Sequence, residues 1–145
     1  MQKPHPPIFF SGLKDPKRSA SRITKYGLSG WIGIQDTPEE IKKWRGEIQR
    51  EVEELGGSRS LDDFEMCSMI WFVITDDETD QTPNGKLSNL MVGTAAQITD
   101  NLKRYNEAGL TMPLIWPPFK DVPVSKTLDD LKRLQEEIMP HVNAM

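Results

Sequence analysis

Short β-rich runs alternate with amphipathic helical stretches along this chain, and that alternation constrains the fold more than any other feature. It specifies βα units around a parallel sheet. Four such units are predicted. The first strand, Pro7-Ile8-Phe9-Phe10, turns through Ser11-Gly12-Leu13-Lys14 into a helix with Asp15 as cap and Pro16 at its first position, both ordinary start signals. The second strand is Gly30-Trp31-Ile32-Gly33-Ile34. Thr37-Pro38-Glu39-Glu40 then spells a capping box, and Ile41, Trp44, Ile48, Val52 and Leu55 follow at steps of three or four before Gly56-Gly57 ends the helix.

Residues 64–74 form a nearly continuous apolar run, which predicts a central strand covered on both faces. Residues 75–92 read as a connection longer than most, either functional or mobile. A third helix is predicted to be capped by Thr94 with Gln97, to bury Ile98, Leu102 and Tyr105, and to stop at Gly109. The fourth strand is Met112-Pro113-Leu114-Ile115-Trp116, followed by Pro117-Pro118-Phe119. A last helix is expected to be capped by Thr127, to turn Leu128, Leu131, Leu134 and Ile138 inward, and to close at Pro140.

Four βα units make too small a sheet to close into a barrel, because closure around a packed interior takes about eight strands. The open edges therefore call for another copy of the chain or for an N-terminal half carrying the other strands; otherwise they stay exposed. Residues 1–145 are thus read as a single partial domain.

Composition narrows the partners. The formal net charge is −4 with the signs interspersed, so there is no basic footprint for nucleic acid and no polybasic patch for lipid. Apolar runs fall short of a membrane span, and the first residues lack the apolar core of a secretory signal, so a cytoplasmic location is expected. One cysteine, Cys67, excludes an intrachain disulfide, and His5 and His141 offer little for zinc. The acidic run Asp76-Asp77-Glu78-Thr79-Asp80 lacks the glycine and terminal glutamate of a calcium loop, and Gly85-Lys86 lacks the rest of a P-loop. Gly27, Gly30 and Gly33 lead into a strand rather than out of one, the wrong context for a dinucleotide fingerprint. No metal is expected. Small molecules and other protein chains remain.

The ordered motifs Pro-Pro-Ile-Phe-Phe-Ser-Gly (6–12), Tyr-Gly-Leu-Ser-Gly-Trp-Ile-Gly (26–33), Thr-Pro-Glu-Glu (37–40), Val-Gly-Thr (92–94), Tyr-Asn-Glu-Ala-Gly-Leu (105–110) and Ile-Met-Pro (138–140) resemble the luciferase-like oxidoreductases, flavin- or F420-dependent (βα)8 enzymes. The resemblance implies an α/β fold, a (βα)4 half of a TIM-type barrel holding the family's fifth to eighth strands. It implies a part of an oxidoreductase or monooxygenase that uses FMN or coenzyme F420 on a small organic substrate. It also implies a phosphate anchor at Ser11, Gly12, Leu13 and Lys14, with Ile34 and Gln35 opposite.

Independently of the resemblance, a strand end, a small-residue turn and a helix N-terminus present free N–H groups and a positive dipole end to an anion. The plainer reading of that turn is an ordinary βα loop with a permissive glycine. Trp31, Trp71 and Trp116 read first as core tryptophans. Trp116, at the end of the last strand, is the candidate to face substrate. No general acid or base is nominated, and a noncatalytic, self-associating half barrel stands as the alternative.

Overall fold

The computed structural model describes residues 6–11, 15–34, 36–57, 60–78, 90–116 and 122–142. In chain order these form β1 (Phe9–Ser11), α1 (Pro16–Tyr26), β2 (Gly30–Ile34), α2 (Pro38–Glu54), β3 (Glu65–Ile74), β4 (Leu90–Gly93), α3 (Ala95–Glu107), β5 (Met112–Trp116) and α4 (Val124–Arg133). A π-helical turn, Leu134–Ile138, carries the last helix into a short α5, Met139–Val142.

Helix boundaries follow local chemistry. The Asp15 carboxylate accepts the Arg18 N–H at 3.1 Å, and α1 ends where Gly27 turns to φ 61°. Thr37 and Glu40 close a reciprocal box at the start of α2, at 3.2 and 2.9 Å, and Thr94 and Gln97 repeat it on α3. Ile41, Ile48 and Val52 of α2 are wholly buried, each contributing roughly 1.5–3 kcal/mol by leaving water. Leu55, expected on the same stripe, is 53% exposed because it is already the helix's C-cap.

All five strands are parallel. β1 pairs with β2, β2 with β3, and β3 with both β4 and β5. The register decides how three strands share β3. Met69 pairs with Ile34 and Leu114, and Trp71 with Leu90 and Trp116, so β5 occupies one edge while β2 and then β4 follow one another along the other. The strand β4 corrects the sequence reading, which left residues 75–92 as a connection. Residues 79–89 lie outside the described residues.

Two further corrections concern packing. The strand β3 is central, but its even-numbered face is sealed throughout while the other face is sealed only at Cys67, which is 1% exposed. Met66, Ile70, Phe72 and Ile74 are fully buried under the helices, whereas Glu65, Met69, Trp71 and Val73 on the other face are only half-buried. A parallel strand in a closed barrel has helices on one side and the barrel interior on the other, and both read as apolar. Here the interior side is uncovered.

The last helix begins at Val124 after Pro123, without a side-chain cap, and not at Thr127; it continues past Pro140. Of the residues expected inward, Leu134 packs against the core and Ile138 is fully buried, but the first turns face the opposite way. Leu128 is 62% and Leu131 40% exposed, while Asp130 is buried. The inward face meets the end of β3, where Lys126 Nζ donates to the Ile74 carbonyl at 2.6 Å and to Asp130, and Arg133 reaches Asp76 at 3.1 Å. Polar groups at a strand end require polar partners, so the charged face turns in.

Candidate functional site

In a parallel barrel, ligands sit at the C-terminal ends of the strands. The rim is formed here by Ser11, Ile34, the end of β3 and Trp116. Side chains on neighbouring parallel strands that are in register share a face. Ser11 pairs with Ile32, Ile32 with Cys67 and Cys67 with Met112; alternation then places Ser11, Ile34, Met69, Trp71, Leu114 and Trp116 on the uncovered face.

The structure therefore brings together three of the residues singled out in the sequence. Ser11 is the exposed last residue of β1, Ile34 is 56% exposed at the end of β2, and Trp116 is 40% exposed at the end of β5. From β1 across β2 and β3 to β5 the rim spans three strand spacings, roughly 14 Å. Gly12, Leu13, Lys14 and Gln35, the remainder of the predicted anchor, lie outside the described residues, as do Pro117 and Pro118.

Trp71 was undervalued. It is the direct register partner of Trp116, so the two residues share the uncovered face on neighbouring strands. Trp31 points the other way and is 2% exposed in the core. The parity of the two strands separates the three tryptophans, and parity requires the register. The signal available in the sequence was that Trp71 sits three residues before the end of an unusually long strand.

At the first turn of α1, the anion-binding expectation meets a competitor. Asp15 already occupies the Arg18 N–H, Pro16 has no N–H to offer, and the Ser19 hydroxyl donates to the Asp15 carbonyl at 2.7 Å. A phosphate at this turn would share it with a carboxylate.

Behind the rim, the helix-facing side holds a buried polar cluster that the sequence did not announce. Asp36 is 3% exposed, and its backbone carbonyl accepts the Tyr105 hydroxyl at 3.0 Å. Burial first, then the charges of Asp36 and Glu39, raises the Tyr105 phenol well above its ordinary range, so it remains a donor. A methyl group added at Gly33 would fall 2.1 Å from Asp36 Oδ2 and 2.5 Å from the Trp31 ring, which explains the glycine. On the uncovered face, burial and then the nearby Glu65 push the Cys67 thiol up to about 11, so it is protonated and a poor nucleophile at neutral pH. The described rim side chains Ser11, Ile34, Trp71, Val73 and Trp116 include no group that ionises near neutrality.

Among the described residues no cluster of His, Cys, Asp or Glu is arranged to hold a metal ion, and no helix is long and apolar enough to cross a membrane. Asp76, Asp77 and Glu78 are exposed, and His141 lies on the surface of α5 rather than beyond it. His5 lies outside the described residues.

A parallel sheet with helices on one face, an open interior side and a rim at its strand ends is the architecture of half a TIM-type (βα)8 barrel. Two solved structures share this fold. An F420-dependent secondary alcohol dehydrogenase, in complex with an F420-acetone adduct, matches 97% of this chain with a TM-score of 0.69 at 15% identity. The monooxygenase RslO1 from Streptomyces bottropensis matches 97% with a TM-score of 0.67, also at 15% identity. The likeness is one of fold, and the chain has the fold of half of a TIM-type barrel. It spans about half the length of those proteins, covering 50% and 49% of them. No protein-family model and no curated protein sequence matches it.

Proposed function

We propose that this chain supplies one half of the active-site mouth of a luciferase-like oxidoreductase or monooxygenase acting on a small organic substrate, with coenzyme F420 or FMN as the redox partner. The observation that carries this reading is the Trp71–Trp116 pair, set beside Ile34 on the uncovered face at the ligand-binding end of the sheet. Flat, apolar and half-exposed indoles suit the face of a flavin or deazaflavin ring. The similarity to an F420-dependent dehydrogenase and to a monooxygenase supports the same class.

When bound, the cofactor would supply hydride or oxygen chemistry. This chain's contribution is orientation and water exclusion by Trp71, Trp116 and Ile34, with the Ser11 hydroxyl as a hydrogen-bond donor. The anchor extends over Gly12, Leu13, Lys14 and Gln35. Residues 1–145 act as one partial domain, in the cytoplasm. A second reading, a self-associating half barrel with no cofactor, is favoured by the lack of an ionisable side chain among the described rim residues named above.

Thermal unfolding with and without FMN and F420 separates the two. A ligand at a hundred times its dissociation constant stabilises by about 2.7 kcal/mol, a rise of several degrees in Tm. At least one cofactor should raise Tm, and Trp116→Ala should remove most of the rise. No rise with either cofactor at millimolar concentration would sink the oxidoreductase reading.

A further inference from the structure

We propose that the part of β3 and β4 standing beyond the rim is a substrate wall, which selects an uncharged substrate carrying an apolar tail. This inference rests on the oxidoreductase reading above and adds a substrate class to it. Register, position in the half barrel and charge carry it.

The strands do not end level. Ile34, the last residue of β2, pairs with Met69, and Trp116, the last of β5, pairs with Trp71, whereas β3 continues to Ile74. The strand β4 runs alongside that overhang, with Leu90 beside Trp71 and Val92 beside Val73. Side chains in register share a face, so Val73, Leu90 and Val92 continue the uncovered face past Ile34 and Trp116. From the level of Ile34 to that of Val92 is four residue steps along β3, Met69 to Val73, or roughly 13 Å. On the opposite face Phe72, Ile74 and Met91 are buried beneath the helices.

The overhang is fastened at its top. The Thr75 N–H donates to the Gly93 carbonyl at 2.8 Å, Lys126 Nζ donates to the Ile74 carbonyl at 2.6 Å, and Arg133 donates to Asp76 at 3.1 Å. The inward-turned charges of α4 therefore tie the end of β3 to the helix layer and hold the wall upright.

Position decides what the wall faces. Whatever polypeptide completes the barrel pairs with the outer edges of β1 and β5, and the overhang stands between those edges. The uncovered face of an inner strand looks onto the barrel interior. Beyond the last residues of its neighbours it looks onto the mouth, where the ligands of parallel barrels sit.

Charge decides the kind of ligand. Val73, Leu90 and Val92 are apolar and half-buried, a surface on which each methylene group covered is worth roughly fourfold in affinity. Past the wall the chain turns, the Thr75 hydroxyl donating to the Asp77 carbonyl at 2.8 Å, and Asp76, Asp77 and Glu78 stand exposed. A tail ending in an anion would meet these carboxylates; an uncharged tail would not. The substrate class is an uncharged molecule with an aliphatic tail, its reacting end at the Trp71–Trp116 rim and its tail along the wall.

The test is tryptophan fluorescence of the full chain titrated with straight-chain 1-alkanols from butanol to decanol, with and without FMN or F420. The dissociation constant should fall about fourfold per methylene along the series, and octanoate should bind about tenfold more weakly than octanol. Val92→Thr keeps the β-branched shape but sets a hydroxyl in the wall. It should weaken octanol about fivefold or more while leaving butanol and the cofactor-induced rise in Tm unchanged. Leu90→Gln should act in the same direction. Affinities independent of tail length, octanoate binding as well as octanol, or Val92→Thr binding octanol like the parent would each overturn the proposal. A missing rise in Tm with both cofactors strikes the oxidoreductase reading instead, and the alkanol series without cofactor still decides the wall.

Discussion

Replacing Lys126 by methionine tests whether the buried ion pair turns α4 charged face inward. Asp130 is 1% exposed, its carboxylate is bonded by Lys126, and the same ammonium caps the Ile74 carbonyl at the end of β3. Lys126→Met leaves a buried carboxylate without its cation. Breaking a fully buried pair in this way costs about 3–5 kcal/mol. The lysine side chain is 36% exposed, so solvent screens part of the interaction, and the expected cost is about 2–3 kcal/mol.

Asp130→Leu has the smaller effect, below about 1 kcal/mol, because it removes the buried charge and lets Lys126 reach water. The double variant Lys126→Met/Asp130→Leu then presents an apolar inner face and should unfold within about 1 kcal/mol of the parent, giving a coupling of about 2 kcal/mol. Urea unfolding of all four proteins at one concentration, followed by circular dichroism, supplies the cycle. Equal concentration matters because association would add to apparent stability. If Lys126→Met costs under about 0.5 kcal/mol, or if the double variant loses the sum of the singles, the pair does not hold the helix and the reasoning is wrong.

Two other outcomes are expected. Gly33→Ala should lose about 1–3 kcal/mol in the same assay, since a methyl group there overlaps Asp36 and the Trp31 ring; an unchanged urea midpoint would contradict the packing of the Asp36 cluster. Cys67 should resist alkylation at pH 8 in the folded chain and react readily in urea. Its raised thiol pKa contributes stability that is fully present below about pH 9 and is lost as pH rises towards about 11, with Tyr105 shifted in the same direction. A urea midpoint that is flat between those pH values would contradict both assignments.

How much of this could be read from the chain depends on the range of each interaction. Asp15, Thr37 and Thr94 cap their helices through contacts three residues long, and Gly27, Gly56 and Gly109 accept positive φ where the helices end. Such devices lie wholly within a short segment, so the sequence determines them, together with the βα alternation and the core stripe of α2. The strand β4 escaped because a four-residue strand has no period to detect and exists only by pairing with the end of β3.

For the site, the sequence could place Ser11, Ile34 and Trp116 at strand ends, because an end is a local feature. It could not say which tryptophan faces the open side. Trp31, Trp71 and Trp116 have the same composition and the same strand setting, and only register sends the first to the helices and pairs the other two on the opposite face. The same holds for α4, where Leu128 and Leu131 spell an inward stripe until the end of β3 presents a carbonyl and draws the lysine and the aspartate under the helix. Segments of this chain thus choose their own secondary structure and stops. What faces the core and what faces the open side were decided by groups 50 or more residues away, because burial is a property of the assembled layers and not of the segment.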